Sequence, residues 1–213
     1  MRILIIIASL FIIAACSGLS KAEKARLNTT ETTAINHTGH ILLIDTSTAT
    51  IRFTGHGVGQ NHSGIFKLSE GKVWIENKTI TGGAFTINIP SMQLEEKGAL
   101  IQNKLKPHLL SADFFNAAAY PTAAFNITKA EALNSNNADM PNYLITGNLT
   151  LKGITKNISF PAKLQITDSI LNGVANFTIN RSWWHINYGN DKSLGNRFIS
   201  EVVNIQLHIQ TNP

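Results

Sequence analysis

The sequence predicts an all-β protein made of consecutive antiparallel strands. Three observations support this: segments in which apolar and polar residues alternate, short connections between those segments, and a single region with helical spacing. Each alternating segment has one apolar and one polar face, as in antiparallel sheets that bury one side. The 213 residues are 43% hydrophobic and 15% charged, which excludes a disordered chain and suits one domain.

The first fifteen residues differ from the rest of the chain. Met1-Arg2 is a minimal positive region, and residues 3–15 are apolar apart from Ser9. As a helix this stretch spans roughly 20 Å, which is shorter than the ~30 Å hydrocarbon core of a bilayer. We therefore expect residues 1–15 to be a signal peptide rather than a transmembrane anchor.

Cys16 is the only cysteine, so an internal disulfide and a cysteine-based zinc site are excluded. The small residues directly before it resemble a bacterial lipobox, which predicts lipidation of Cys16. An ordinary signal peptide that contains a cysteine is the alternative. Acyl chains contribute ~0.8 kcal/mol per buried CH₂ and give durable membrane anchoring. Ser17 follows in place of aspartate, which favours an outer-membrane lipoprotein that faces the periplasm.

Residues 16–39 are polar and lack apolar periodicity, so we expect a lipidated, flexible tether there and a folded domain over residues 40–213. The clearest alternation lies in residues 84–89, 143–151, 157–166, 172–180 and 203–209. Pro90 is expected to end the first of these strands. Shorter strands are expected within residues 41–44, 50–53, 64–68, 72–76 and 123–133. Eight to ten strands joined by short turns, such as Asn77-Lys78, suggest a sandwich or an up-and-down barrel.

One region departs from the strand pattern. Between residues 95 and 110, apolar side chains recur at helical spacing, and Pro107 is expected to end or kink the helix. A long helical excursion within a series of strands is usually functional or a lid.

The sequence offers little catalytic or metal-binding chemistry. The seven histidines lack ligand spacing with a nearby carboxylate, and no G-x-S-x-G motif is present. Glu95 and Glu96 are adjacent and point to different helix faces, so they make a poor acid/base pair. Lys and Arg form no stripe interleaved with aromatic residues. We therefore predict no catalytic residues, metal, cofactor or nucleic-acid partner.

The neighbouring tryptophans Trp183 and Trp184 are expected in a strand, with one ring on each face. One ring is then expected to pack inward and the other to lie on the surface or at a barrel mouth. Core packing with a satisfied indole N–H and a role in a ligand wall remain equal alternatives.

Several strings resemble the YceI-like family in the family's order along residues 41–210. They include HLLSADFF at 108–115, YPTAAF at 120–125 and YLITGNLTLKGITK at 143–156, with shorter matches at 61–66, 82–87, 179–181 and 194–196. The resemblance implies a lipocalin-like, eight-stranded antiparallel barrel with a short helical insertion. It also implies a secreted or periplasmic protein that binds long polyisoprenoid chains, is not an enzyme and is often a homodimer.

Alternation and resemblance together indicate which side chains form a ligand-binding wall, although plain core packing is the alternative for each. The apolar candidates are Phe85, Ile87, Phe125, Leu149, Phe160, Phe177 and Trp184. Arg181 is expected either to meet a phosphate or quinone oxygen or to pair with Glu201. His185 stands where the family has glycine, so its side chain is expected to narrow or repolarise the mouth.

The resulting hypothesis is an envelope protein that holds an isoprenoid-type ligand, a polyprenyl phosphate or a quinone tail, inside the barrel. A filled barrel that serves as an envelope stress or interaction module is the first alternative. An enzyme that acts on a lipid-like substrate is the second.

Overall fold

The computed structural model describes residues 21–29, 37–134 and 137–211, so the predicted signal peptide and Cys16 lie outside the described residues. The strands are β1 (Glu23–Lys24), β2 (Arg26–Leu27), β3 (His40–Leu43), β4 (Thr50–Gly57), β5 (Asn61–Glu76), β6 (Thr79–Leu94), β7 (Thr122–Ala132), β8 (Tyr143–Leu151), β9 (Ile154–Ile166), β10 (Leu171–Asn180) and β11 (Ile199–Gln210). A π-helical turn, Ile101–Leu105, leads into helix α1, Lys106–Leu110. Two 3₁₀ segments cover Arg181–Trp184 and Lys192–Arg197.

The eight long strands form a closed antiparallel barrel. Their order is β10-β11-β4-β5-β6-β7-β8-β9, and β9 pairs with β10 to complete the circle. This confirms the predicted eight-stranded barrel with a short helical insertion and decides against a sandwich.

The alternation in sequence sets the inside and the outside of the wall. Along β10, for example, burial alternates without interruption, with Ala175, Phe177 and Ile179 inside and polar residues between them. Side chains on a strand point to opposite faces in turn, so the apolar set fills the interior. The strand positions follow directly from this pattern.

The two ends of the barrel differ in their connections. We call the first the mouth end; it carries residues 58–60, the long excursion 95–121, the turn 152–153 and the loop 181–198. The other, the turn end, carries the shorter links 77–78 and 167–170 and the loop 133–142. Antiparallel neighbours can be joined by two residues, so the long segments at the mouth end are additions to the barrel.

Two predicted boundaries are wrong. Strand β6 continues through Pro90 to Leu94. The Ile89 amide donates to the Pro121 carbonyl, just before β7 begins, so the β6–β7 ladder has ended before Pro90. A proline there removes no ladder hydrogen bond. The helix also begins later than predicted. Pro107 does not end the helix, since α1 continues to Leu110; it comes shortly after the π-helical turn Ile101–Leu105.

Residues 21–29 lie on the barrel, although the sequence predicts a tether there. β1 runs parallel to β10, and β2 runs antiparallel to β9. β9 and β10 pair with each other only near the turn end, so these residues bridge the seam that remains between them. The buried Ala25 donates its amide to the Thr178 carbonyl, and the Asn28 amide donates to the Asn157 carbonyl. We call residues 23–28 the seam segment.

Trp183 and Trp184 occupy a 3₁₀ turn rather than the predicted strand. The side chain of Asn180 accepts a hydrogen bond from the Ser182 amide and caps that turn. His185 ends it in the left-handed conformation, with φ 55° and ψ 33°. Glycine adopts this conformation at the lowest cost, so a histidine here holds a strained backbone.

Candidate functional site: a cavity inside the barrel

The barrel encloses a cavity of about 510 Å³. This lies within the range of ~300–1,000 Å³ that is typical of small-molecule sites. Its lining is mostly apolar and includes seven of the eight residues singled out from the sequence: Phe85, Ile87, Phe125, Leu149, Phe160, Phe177 and Arg181. The structure therefore brings together residues from β6 to β10 around one space.

A row of phenylalanine rings crosses the cavity wall. The ring centroids of Phe85 and Phe125 lie 6.4 Å apart, and those of Phe125 and Phe160 lie 5.6 Å apart. Phe160 and Phe177 stack at 4.0 Å with an interplanar angle of 8°. These rings form a continuous apolar surface that a hydrocarbon chain can contact along its length.

Glycine makes room for these rings. A Cβ on Gly147 would lie 2.5 Å from the Phe125 ring, and a Cβ on Gly64 would lie 2.7 Å from the ring of Phe53. Both glycines are buried in the barrel wall. Each aromatic side chain therefore folds across the position where a neighbouring strand carries no side chain.

Trp184 is the one predicted wall residue that lies outside the lining. Its side chain is fully buried, and its indole N–H donates to the Leu149 carbonyl at 3.0 Å. Of the two alternatives that the sequence left open, its contacts match core packing. Trp184 thus fastens the 3₁₀ turn to β8.

The helical excursion covers part of the mouth. Leu105, Leu109, Phe114 and Phe115 line the cavity from this segment. His108 anchors the segment, because its Nε2 lies 2.9 Å from Asp113 Oδ2 and its ring packs edge-on against Tyr188, with centroids 4.7 Å apart. The His108–Tyr188 contact therefore joins the excursion to the loop 181–198 at the mouth end.

All the polar side chains that line the cavity lie at the mouth end. They are His56, Gln60, His62, Arg181, Asn196, Arg197 and Ser200. Gln60, Asn196 and Arg197 are exposed, so the cavity reaches the surface between the β4–β5 loop and the start of β11. The lining toward the turn end is entirely apolar.

His62 has a carboxylate behind it. Its Nδ1 lies 3.7 Å from Oε1 of Glu96, and that oxygen accepts a hydrogen bond from the Ser63 amide at 2.9 Å. His62 Nδ1 and Glu96 Oε2 are buried and have no hydrogen-bond partner among the described residues. His62 itself borders the cavity.

Arg181 is only 5% exposed and organises the loops around it. Its guanidinium donates to the carbonyls of Ser200, Ile186, Tyr188 and Ile199. Burial lowers the pKa of Arg181, and the charge of Glu201 acts in the opposite direction. Glu201 itself accepts hydrogen bonds from Asn180 and Asn190, so the predicted direct pairing with Arg181 is replaced by four backbone contacts.

His185 is exposed and does not border the cavity, so it does not narrow the mouth as expected. The sequence reasoning missed Arg197, His62 and the two lid phenylalanines, Phe114 and Phe115. Arg197, Phe114 and Phe115 lie outside the strands, and His62 lies near the start of β5, before its buried apolar residues. The string HLLSADFF was the one sequence signal for the two phenylalanines, since it places them directly after the helix.

No cluster of three or more potential metal ligands occurs in residues 21–29, 37–134 and 137–211. No helix in the same residues is long and apolar enough to cross a membrane. The fold and the cavity together define the class: an eight-stranded antiparallel barrel with an apolar interior and one polar mouth.

The chain belongs to the YceI-like family, since the YceI-like domain matches residues 43–211. Among curated relatives, Protein YceI of Escherichia coli O17:K52:H18 is 33% identical over 101 residues, which is 47% of this chain and 48% of that protein. A UPF0312 protein of Pseudomonas aeruginosa is 49% identical over 57 residues, or 27% of each chain. The matched regions thus span about a quarter to a half of these relatives.

Solved structures share the fold at low identity. BcnA of Burkholderia cenocepacia is 20% identical with a TM-score of 0.63, and the match covers 79% of this chain and 99% of BcnA. A polyisoprenoid binding domain from Saccharophagus degradans is 12% identical with a TM-score of 0.60, covering 81% of this chain and 99% of that domain. At these identities the comparison concerns the fold alone.

Proposed function

We propose that this protein holds one long isoprenoid-type ligand, a polyprenyl phosphate or a quinone tail, in the barrel without catalysing a reaction. The observation that carries the proposal is the apolar cavity of about 510 Å³ with its single polar mouth. Burying hydrocarbon contributes roughly 25 cal/mol per Å², so a chain in this cavity has ample driving force. A barrel filled by its own side chains, the first alternative, leaves no such space.

The comparisons support the same proposal. A structural neighbour of this chain is described as a polyisoprenoid binding domain. The eight-stranded barrel is also the size that accommodates one small or slim ligand. Trp184 is proposed to support the binding residues by packing behind the wall. The proposed ligand-binding residues themselves are Phe85, Ile87, Phe125, Leu149, Phe160, Phe177 and Arg181.

The test is to purify the full chain from bacterial membranes in mild detergent and to analyse its extract by mass spectrometry. We expect an isoprenoid at close to one molecule per chain. The exchange of added tritiated prenol or quinone into the purified protein measures the same site. Finding no isoprenoid, together with no binding above a heat-denatured sample, would exclude the proposal.

A pair of neighbouring alanines provides matched variants. Ala123 is 2% exposed and borders the cavity, whereas Ala124 is partly buried and does not border it. Ala123→Phe should fill the space and reduce prenol binding at least about tenfold, while Ala124→Phe should leave it unchanged. Equal effects of the two substitutions would argue against binding in the barrel.

We also propose that the protein is an envelope lipoprotein, anchored through lipidated Cys16 at the outer membrane and facing the periplasm. The lipobox-like residues before Cys16 and the serine that follows support this. Labelled palmitate should be incorporated into the chain, and Cys16→Ser should abolish both the label and the membrane association. Labelling that persists in Cys16→Ser would contradict the proposed anchor.

A further inference from the structure

The ionisable side chains that line the cavity are two arginines and two histidines. They are His56, His62, Arg181 and Arg197, and no aspartate or glutamate lines the cavity among the described residues. All four lie at the mouth end, where the apolar interior meets the surface. A ligand with an apolar chain and a charged head would therefore find its matching surface only here.

Arg181 places a buried cation beside this mouth. Backbone carbonyls take four of its N–H donors, and carbonyls solvate a guanidinium without neutralising its charge. No carboxylate lies within ion-pair distance of it in the part of the chain that the structure describes. Buried charges are ordinarily paired, and the nearby acid Glu201 is engaged with two asparagines.

Arg197 supplies a second cation at the rim. It is exposed, borders the cavity and forms no ion pair with any described residue. Gln60 and His62 border the same cavity from the β4–β5 side. Guanidinium groups bind phosphate oxygens with charge-assisted hydrogen bonds that are often bidentate.

We infer that the mouth binds an anionic head group, a phosphate or diphosphate ester at the end of the isoprenoid chain, in preference to a neutral quinone or alcohol. This inference rests on the proposed function and decides between the two ligand types named there. Arg197 contacts the anionic head group directly, and Arg181 contributes positive electrostatic potential from within the barrel wall.

The test compares three ligands on the full chain at low ionic strength: a polyprenyl phosphate, the alcohol of the same chain length, and ubiquinone. The phosphate is expected to bind about tenfold more tightly than the alcohol, and added salt should reduce that preference. Inorganic phosphate at the same concentration should leave the bound ester in place. Equal affinities for the three ligands, or complete displacement by inorganic phosphate, would overturn the inference.

Arg197→Gln should remove most of the preference for phosphate and leave the affinity for the alcohol unchanged. Lys192→Gln is the matched control, because Lys192 is exposed in the same 3₁₀ segment and does not border the cavity. Equal losses in both variants would assign the preference to net charge and contradict the role of the mouth. If none of the three ligands binds, the proposed function itself fails. If all three bind with equal affinity, only this inference fails.

Discussion

The two ends of the barrel are built from the same strands but differ in chemistry. At the turn end, the short links 77–78 and 167–170 and the loop 133–142 join the strands, and the cavity lining is entirely apolar. At the mouth end, two long insertions meet above the cavity, and every polar lining residue lies there. The strands thus form the apolar space, while the polar lining residues lie at the mouth-end termini of β4, β5 and β11 and in residues 58–60 and 181–198.

The largest expected effect is at the mouth end. Arg181→Met should lower the free energy of unfolding by about 3–5 kcal/mol, because four carbonyls lose a buried, charged donor. Urea denaturation followed by fluorescence measures this. Arg197→Met, at the exposed rim, should cost less than about 0.5 kcal/mol. A loss below about 1 kcal/mol for Arg181→Met would show that the loops hold their shape without it.

An intermediate effect is expected at the turn end. Leu171 is 1% exposed and borders the cavity, so Leu171→Ala should lower stability by about 2–4 kcal/mol. Its neighbour Ile170 is 44% exposed, and Ile170→Ala should change stability by less than about 0.5 kcal/mol. Because Leu171 lies far from the polar groups, the ratio of the affinities for prenyl phosphate and prenol should stay constant. A changed ratio would mean that the two ends are not separate in function.

The smallest effect is expected for a charge outside the cavity. Arg52 donates two hydrogen bonds to Glu95, at 2.7 and 2.6 Å, and holds the pKa of Glu95 below its ordinary value of 4.5. Both side chains are about a third exposed, so the pair should contribute less than about 1 kcal/mol. Glu95→Gln should therefore have a far smaller effect on urea denaturation than Arg181→Met.

The direction of the pH dependence follows from the lowered pKa of Glu95. The folded protein binds this proton less tightly than the unfolded chain, so the stabilisation is present above 4.5 and is lost as the pH falls through the lowered value. Denaturation of wild type and Glu95→Gln should differ at about pH 7, and the difference should shrink in acid. A difference that grows in acid would contradict this account.

The sequence predicts the barrel wall well because one physical rule governs it. Phe177, for example, lies between Asn176 and Thr178, and the closed sheet turns such alternation into an inside and an outside. The resemblance to a known family supplied the strand number, which alternation alone left open between a sandwich and a barrel.

The mouth was harder to predict because its contacts follow no period. Arg181 is held by backbone carbonyls, which every residue carries, so no sequence pattern reveals its partners. Trp184 was misplaced because a capped 3₁₀ turn interrupts the apparent continuation of β10. The seam segment was missed because β1 and β2 have two residues each, too few to show alternation.

The seam segment also constrains the order in which the molecule can be completed. Arg26 is opposite Ser159, and Glu23 is opposite Phe177, so this part of the wall joins residues more than 130 positions apart. Such distant pairings form late, because the intervening chain loses entropy when its ends meet. The residues synthesised early thus find their final position only after nearly the whole chain has been made. During its synthesis the barrel wall therefore remains incomplete on one side.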